Sequence, residues 1–330
     1  MADQLDVLAV GNAIVDVLVA KDDIFLHENG IAKGGMQLIS AAESLELYRR
    51  IGPAREISGG SAANTAVGIA ALGGRAGFIG RVAGDALGQV FTSNIRAAGV
   101  AFDVAPATDG QPTARSIIIV TPDAERSMST CLGASQELHE DDIDAGQIAR
   151  AAVTYIEGYL WDQPAPIRAV RKAIAAARAA GRQTALTLSD SFCVERHRAD
   201  FLALLRAGDI DLLFANEAEA GSLFETADLD HAVEGLQQLA PLAVLTRSEK
   251  GAIVITAAER IAVPATAVAQ VVDTTGAGDL FAAGFLAGLS QGRDLRRCAV
   301  MGTVAAAEII EHYGARPQAD LRARMESVFA

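Results

Sequence analysis

Hydrophobic and polar positions change their period along this chain. From about residue 150 onward, short β-type runs at Val153–Ile156, Thr184–Leu188, Leu212–Phe214 and Ala243–Thr246 alternate with Ala-, Leu- and Arg-rich helical stretches such as Ala165–Ala180. Strand and helix in turn predict βαβ units and a parallel sheet. The N-terminal half opens with two β-type runs, Val7–Val10 and Ile14–Val19, followed by helical stretches at Ala41–Arg50 and Ser61–Leu72.

Two segments break the alternation, roughly residues 14–39 and roughly residues 102–130. The second contains Ser116-Ile-Ile-Ile-Val120 and the turn Thr121-Pro-Asp-Ala-Glu125. Both read as extended, hairpin-forming chain that interrupts an α/β layer. They predict a small β subdomain made of two insertions and lying as a lid over the sheet, although ordinary strands of the main sheet would show the same spacing. With no Pro- or Ser-rich linker and no internal repeat, residues 1–330 are expected to form one domain.

Composition narrows the partners. The 330 residues carry 28 basic and 41 acidic side chains, a net charge of −13, which disfavours nucleic acid and anionic membrane surfaces. The first residues are acidic where a signal peptide needs a basic leader, and no apolar run approaches the ~18 residues of a membrane span. Cys131, Cys193 and Cys298 lie far apart without a CxxC pair, which fits buried thiols in a reducing compartment. The expectation is a cytoplasmic protein acting on a small molecule.

The strongest chemical signal is Asp273-Thr-Thr-Gly-Ala-Gly-Asp279, followed by a run of small and apolar residues that reads as a helix. A glycine-rich turn opening a helix points free backbone N–H groups one way, with the positive end of the helix dipole behind them. Gly276, Ala277 and Gly278 are therefore expected to form an anion hole. Asp279, in the first turn, is the candidate base that takes a proton from an attacking hydroxyl. In isolation, a first-turn acid that merely complements the dipole explains Asp279 about as well. The spacing fits neither a dinucleotide fingerprint, since Phe281 stands where Gly or Ala is needed, nor a Walker A loop, since no Gly-Lys pair occurs.

Three further motifs accompany it. Gly59-Gly60-Ser-Ala-Ala-Asn64 opens another helical stretch, where Gly59 and Gly60 admit a ligand close to the backbone, Asn64 can hydrogen-bond a polyol, and Ser61 between them is a further candidate substrate contact. Gly11-Asn-Ala-Ile-Val-Asp16 ends the first strand, placing Asn12 and Asp16 at a sheet edge where hydroxyls can be bound. Asn216-Glu-Ala-Glu219 follows Leu212–Phe214; Asn216 and Glu219 could hold a hydrated Mg²⁺, or simply cap an acidic helix start.

Together these residues resemble the ribokinase family of carbohydrate kinases, also called PfkB, over essentially the whole chain and in order. The resemblance implies a doubly wound, mostly parallel α/β sheet with a small β lid, and ATP-dependent phosphorylation of a primary hydroxyl. It makes Asp279 the base, gives Asn12, Asp16, Gly60 and Asn64 to the ribose or sugar, and gives Asn216 and Glu219 to Mg²⁺ and the phosphates. Within the family the chain is similar to the adenosine kinases at residues 125–128, 155–160, 186–192 and 211–217. That likeness places Arg126 near the phosphates and Met36 over a nucleoside. The implied reaction is adenosine to AMP; a ribose- or fructose-type sugar kinase and a non-catalytic nucleotide- or sugar-binding regulator are the alternatives. By the same resemblance, carbonyls near Asp273 and Thr275 and the turn at residues 313–315 could bind K⁺. A monomer and a homodimer are both compatible with the fold.

The chain departs from its family pattern at several positions. The ATP loop reads Thr246-Arg-Ser-Glu-Lys-Gly251, with Ser248 where relatives carry the first glycine. Thr303 stands where an Asn or His approaches the adenine of ATP. Leu160 occupies the position of a Phe that stacks on the nucleoside base, with Tyr159 and Trp161 as candidate substitutes. A lost aromatic face weakens base selectivity, since stacking is worth about 1–3 kcal/mol per base.

Overall fold

The computed structural model describes residues 4–123 and 125–329. Its strands run in chain order β1 (Leu5–Val10), β2 (Ile14–Ala20), β3 (Met36–Leu38), β4 (Arg55–Gly59), β5 (Ala76–Ile79), β6 (Ala114–Val120) and β7 (Arg126–Cys131). They continue as β8 (Ala151–Glu157), β9 (Gln183–Thr187), β10 (Leu212–Asn216), β11 (Leu242–Thr246), β12 (Ala252–Thr256) and β13 (Arg260–Val263). Two sheets result. The larger has the order β13-β12-β11-β10-β9-β8-β1-β5 and the smaller β3-β7-β6-β2-β4.

In the large sheet every pairing from β5 to β11 is parallel, and only β12 and β13 are added antiparallel. This is the doubly wound α/β architecture expected from the alternation of strands and helices. Both faces are buried, as a parallel sheet requires. Val7, Ala9, Val153 and Tyr155 point into one core, while Leu8, Val10 and Ile156 point into the other. The period-2 alternation of side chains sends neighbours of one strand to opposite layers.

Strand order reverses at β1, which has β5 on one side and β8 on the other. At such a switch point the loops leaving the carboxyl ends diverge and open a crevice. The chain leaves β1 into β2 of the small sheet, and the helix Ser61–Ala71 returns from β4 to pack beside the helix Ala277–Ser290.

The small sheet differs in extent from the two insertions anticipated. Strand β4 belongs to it, pairing antiparallel with β2 from Ile14↔Gly59 to Leu18↔Arg55. Residues 102–113 contribute no strand to it; Ala101 and Ala107 make single parallel bridges to Gly77 and Ala83 at the edge of the main body. The reason is local: Ala105-Pro-Ala-Thr-Asp-Gly-Gln-Pro112 lacks an apolar alternation, whereas Arg55-Glu-Ile-Ser-Gly59 can pair along β2. Ala124, within the expected turn at residues 121–125, lies outside the described residues.

Candidate active site

The helix Ala277–Ser290 begins at Gly276, whose backbone is left-handed at φ +80°. A Cβ at Gly276 would also stand 2.7 Å from that of Ala315, so this position requires glycine twice over. The turn leaves donors free, though not the three anticipated. Ala277 N–H donates to Thr274 O at 3.1 Å and closes the turn. Among the described residues the N–H groups of Gly276, Gly278 and Asp279 have no partner within the protein. The N–H groups left free to meet an anion are thus those of residues 276, 278 and 279, and Ala277 serves the turn. Gly278 faces open space, with no atom within 4 Å of where a Cβ would be.

Asp279 is held from across the crevice. Ser61 Oγ donates to its Oδ1 at 2.6 Å and Asn64 Nδ2 to its Oδ2 at 2.9 Å. Both donors sit on the helix Ser61–Ala71, one turn apart, so two helix N-termini converge on one carboxylate. Burial raises the Asp279 pKa above the usual carboxylate range, while the Ser61 and Asn64 hydrogen bonds and the charge of Arg316 work against that rise.

One cavity is lined by this carboxylate, and a second is lined by its donor Asn64. The first, of about 210 Å³, is lined by Asp279, the 276–278 turn, Asn216, Glu219, Thr246, Thr187 and Ser189. Neither Lys nor Arg is among its lining residues, so an anion there must rely on backbone N–H groups, hydroxyls and added cations. The other, of about 90 Å³, lies against the small sheet and is lined by Asp16, Asn64, Arg126, Tyr313 and Arg316. The Asn64–Asp279 hydrogen bond stands between them.

On the second side, burial lifts Asp16 to about 6 against the opposing charges of Arg316 and Arg126. Arg316 is half-buried, donates to Ser58 O and to Ala63 O, and is lowered to about 10 by desolvation. Arg126 comes from β7 and reaches the anion-hole turn, where Nη1 lies 2.5 Å from Asp273 Oδ2 and donates to Thr275 Oγ1 at 3.2 Å. Its Nε and Nη2 are buried without partners. Met36, on edge strand β3, is 58% exposed.

Other expected ligand contacts are engaged elsewhere. Asn12 is buried, and its N–H and Nδ2 both donate to Glu157 Oε1, at 2.8 and 2.5 Å. Gly60 serves close approach: a Cβ there would lie 2.1 Å from Asn12 O. Leu160 is packed in the core and does not line either cavity; Trp161 is buried against Phe201, and the Tyr159 hydroxyl donates to Ser189 O. No aromatic ring of that segment takes the place of the missing Phe, because residues 158–162 form a 3₁₀ turn that drives Leu160 and Trp161 inward.

In the larger cavity, Asn216 and Glu219 form a capping box at the helix Glu217–Phe224, with Asn216 N–H and Nδ2 donating to the two Glu219 oxygens and Glu219 N–H to Asn216 Oδ1. Burial raises Glu219 to about 7. Gly251 has φ +84° and packs against Val263 O, and Thr303 donates to Val300 O inside its helix; neither lines the cavity beside Asp279. Ser248 adopts φ +50°, the left-handed backbone that a glycine takes without strain.

Glu157 is the main residue not singled out by its motif. It is fully buried at the end of β8, accepts Ala62 N–H at 2.9 Å besides the two Asn12 donors, and is pushed up to about 7 by burial. It ties the end of β1 to the start of the helix Ser61–Ala71. Its sequence signals are an acid at the end of an otherwise apolar strand run and its place in the stretch 155–160.

The model of the pfkB family carbohydrate kinases matches residues 31–321. The chain belongs to that family. Among solved structures it is 52% identical to the adenosine kinase from Sinorhizobium meliloti, covering 98% of this chain and 99% of that one with a TM-score of 0.91. It is 48% identical to a probable sugar kinase protein from Rhizobium etli CFN 42, covering 99% of each chain, also with a TM-score of 0.91. Among curated pfkB relatives, an ATP-dependent ribose-1-phosphate kinase of Halopiger xanaduensis is 29% identical over 81% of this chain and 85% of its own length. A cytidine kinase of Thermococcus kodakarensis is 39% identical, but over 32% of this chain and 38% of its own length. As a pfkB protein the chain is a phosphotransferase acting on a hydroxyl group. Among the described residues no helix is long and apolar enough to cross a membrane.

Proposed function

We propose that this kinase transfers the γ-phosphoryl group of ATP to the primary hydroxyl of a nucleoside, adenosine, forming AMP and so returning the nucleoside to the nucleotide pool. The observation that carries the reading is the position of Asp279. Its carboxylate lines a hydroxyl- and N–H-lined cavity suited to phosphates, and Asn64, which donates to it, lines a second cavity that offers Asp16 and Asn64 to a ribose. The full-length likeness to a solved adenosine kinase supports the choice of acceptor.

Asp279 accepts the proton of the attacking hydroxyl as the oxygen moves toward phosphorus. Ser61 and Asn64 hold the carboxylate in one orientation and favour its charged form. The free N–H groups of Gly276, Gly278 and Asp279 stabilise charge on the transferring group at the positive end of the helix. Arg126 braces the turn at Asp273 and Thr275 from the small sheet, which acts as a lid that excludes water.

Mg²⁺ suits the larger cavity, which carries the Asp279 and Glu219 carboxylates and no basic side chain. Asn216 and Glu219 would hold it through water, since their polar atoms already bond one another; the ion neutralises phosphate charge. The protein is read as cytoplasmic and as a monomer or homodimer.

A second reading, phosphorylation of a free sugar, is favoured by one feature: no aromatic ring replaces Leu160 beside the expected base. ADP release measured with adenosine, other nucleosides, ribose and fructose separates the two. AMP formation from adenosine at the highest kcat/KM supports the proposal, and turnover confined to sugars overturns it.

A further inference from the structure

Arg316 lies in none of the motifs that pointed to the site, yet it touches both sides of it. It belongs to the loop between the helices Leu295–Ile310 and Leu321–Phe329, which is anchored at both ends. Gly314 N–H donates to Asp273 Oδ2 at 2.9 Å, in the glycine turn. Gln318 N–H and Ala319 N–H donate to Oε1 of the buried Glu308 at 2.8 and 2.7 Å. Between these anchors Ala315 packs against Gly276, where an added Cβ would stand 2.7 Å from that of Ala315. The next side chain, Arg316, reaches the other helix.

Its guanidinium forks across two elements. Nε donates to Ser58 O at 2.9 Å, Nη2 to Ser58 Oγ at 3.0 Å and also to Ser58 O, and Nη1 to Ala63 O at 3.2 Å. Ser58 stands near the end of β4, next to Gly59, where a Cβ would meet Asp16 Oδ2 at 2.3 Å. Ala63 lies in the first turn of the helix Ser61–Ala71, between Ser61 and Asn64, the two donors to Asp279. One loop thus supports the turn that opens the helix of Asp279 and holds the helix start that carries its donors. A planar guanidinium can serve these separate acceptors together, whereas a lysine ammonium offers one compact charge.

Arg316 also lines the second cavity with Asp16. Its charge opposes the rise that burial imposes on both Asp16 and Asp279. Arg126 acts on Asp16 as well, but it is already paired with Asp273. The other ionisable groups that act on or feel Asp279 are Asp16 on β2, Tyr155 and Glu157 on β8, and Tyr159 in the turn that follows. None of these brings a positive charge. The carbonyls of Asp273, Thr275, Gly314 and Ala315 accept no backbone hydrogen bond among the described residues, so a K⁺ ion held by those turns would not compete with the Arg316 contacts.

We propose that Arg316 is a positioning residue for proton transfer to Asp279: its fork fixes the helix start that carries Ser61 and Asn64, and its charge is the counter-charge shared by Asp16 and Asp279. This role rests on the kinase reading given above; the charge cluster exists without it.

Wild type, Arg316→Met and Arg316→Lys are to be assayed across pH with adenosine and ATP in KCl. In parallel, carboxyl carbons of carbon-13-labelled aspartates are titrated by NMR, with Asp16→Asn and Asp279→Asn giving the assignments. Arg316→Met should move the acid limb of kcat/KM and both aspartate titrations to higher pH by about one unit, and lower kcat at neutral pH about tenfold, because a buried carboxylate without its counter-charge favours the protonated form. The KM for ATP should stay within severalfold of wild type. Arg316→Lys should leave the titrations within about half a unit of wild type yet lose kcat severalfold, since it keeps the charge without the fork. A folded Arg316→Met with wild-type aspartate titrations overturns the inference whatever its rate, because a merely structural brace lowers activity without moving them. Wild-type kcat in Arg316→Lys overturns it too. Should Arg316→Met not fold, Arg316→Gln, which removes the charge but keeps a donor, is read in the same way. A wild type that phosphorylates no acceptor refutes the kinase reading, while the aspartate titrations still decide the role of Arg316.

Discussion

Asn64 donates its side-chain amide to Asp279 Oδ2 at 2.9 Å across a gap of 215 residues in sequence, and this bond lies between two cavities of different chemistry. The Asp279 carboxylate is thereby fixed by the helix whose Asn64 lines the second cavity. Removing one donor from a carboxylate favours its protonated form. In Asn64→Ala the acid limb of the kcat/KM profile should move to higher pH, because Asp279, already raised by burial, then titrates higher still. An acid limb that stays in place would show that Asn64 does not tune the base.

Asp279→Asn keeps the shape and removes the proton acceptor. Turnover should fall by about 10²–10⁴-fold, the usual contribution of a general base, with ATP and nucleoside affinity within severalfold of wild type. Calorimetric binding alongside single-turnover rates checks this; a variant with near-normal rates excludes Asp279 as the base.

The two glycines of the turn should respond differently to substitution. Gly276→Ala forces a side chain onto Ala315 at a left-handed backbone and should lower stability by about 1–3 kcal/mol. The Cβ of Gly278→Ala meets no atom, so the melting temperature should hold while the KM for ATP rises severalfold as the methyl group narrows the approach of a phosphate to the turn. Denaturant unfolding and ATP titration of the pair provide the contrast.

Glu157 gives a pH signature of stability. Its pKa is about 7 in the folded protein against 4.5 as an ordinary glutamate. The folded state therefore holds a proton that the unfolded chain has lost between those values. The resulting stability is full below pH 4.5 and disappears as pH rises to about 7, at up to about 1.4 kcal/mol per unit. Glu157→Gln should remove this slope from the difference between the two proteins. It should also cost about 1–3 kcal/mol at pH 5, because its NH₂ group must face a backbone donor at Asn12 or Ala62. Urea unfolding of both proteins from pH 5 to 8 measures it.

Much of the site was legible where chemistry is local. The turn at Gly276–Gly278 and the acid at Asp279 could be read because a glycine-rich helix start needs only neighbouring residues to expose its N–H groups. The βαβ alternation likewise requires only apolar periodicity, and it led to the parallel sheet that was found. Asn216 and Glu219 were read as a pair for the same reason, three residues apart on one helix start.

What the sequence by itself determined was thus the layer architecture and the places where backbone could meet an anion. Tertiary structure decided which side chains are free to use. Asn12 looks like a ligand residue in its motif, but Glu157, 145 residues away, takes its amide. Leu160 could equally have lined a cavity until the 3₁₀ turn sent it into the core. Arg126 meets Asp273 only when the small sheet and the anion-hole turn are brought together. Backbone donors are free or bonded according to their own turn, whereas a buried charge or amide is committed by whichever distant partner satisfies it, and only the folded chain names that partner.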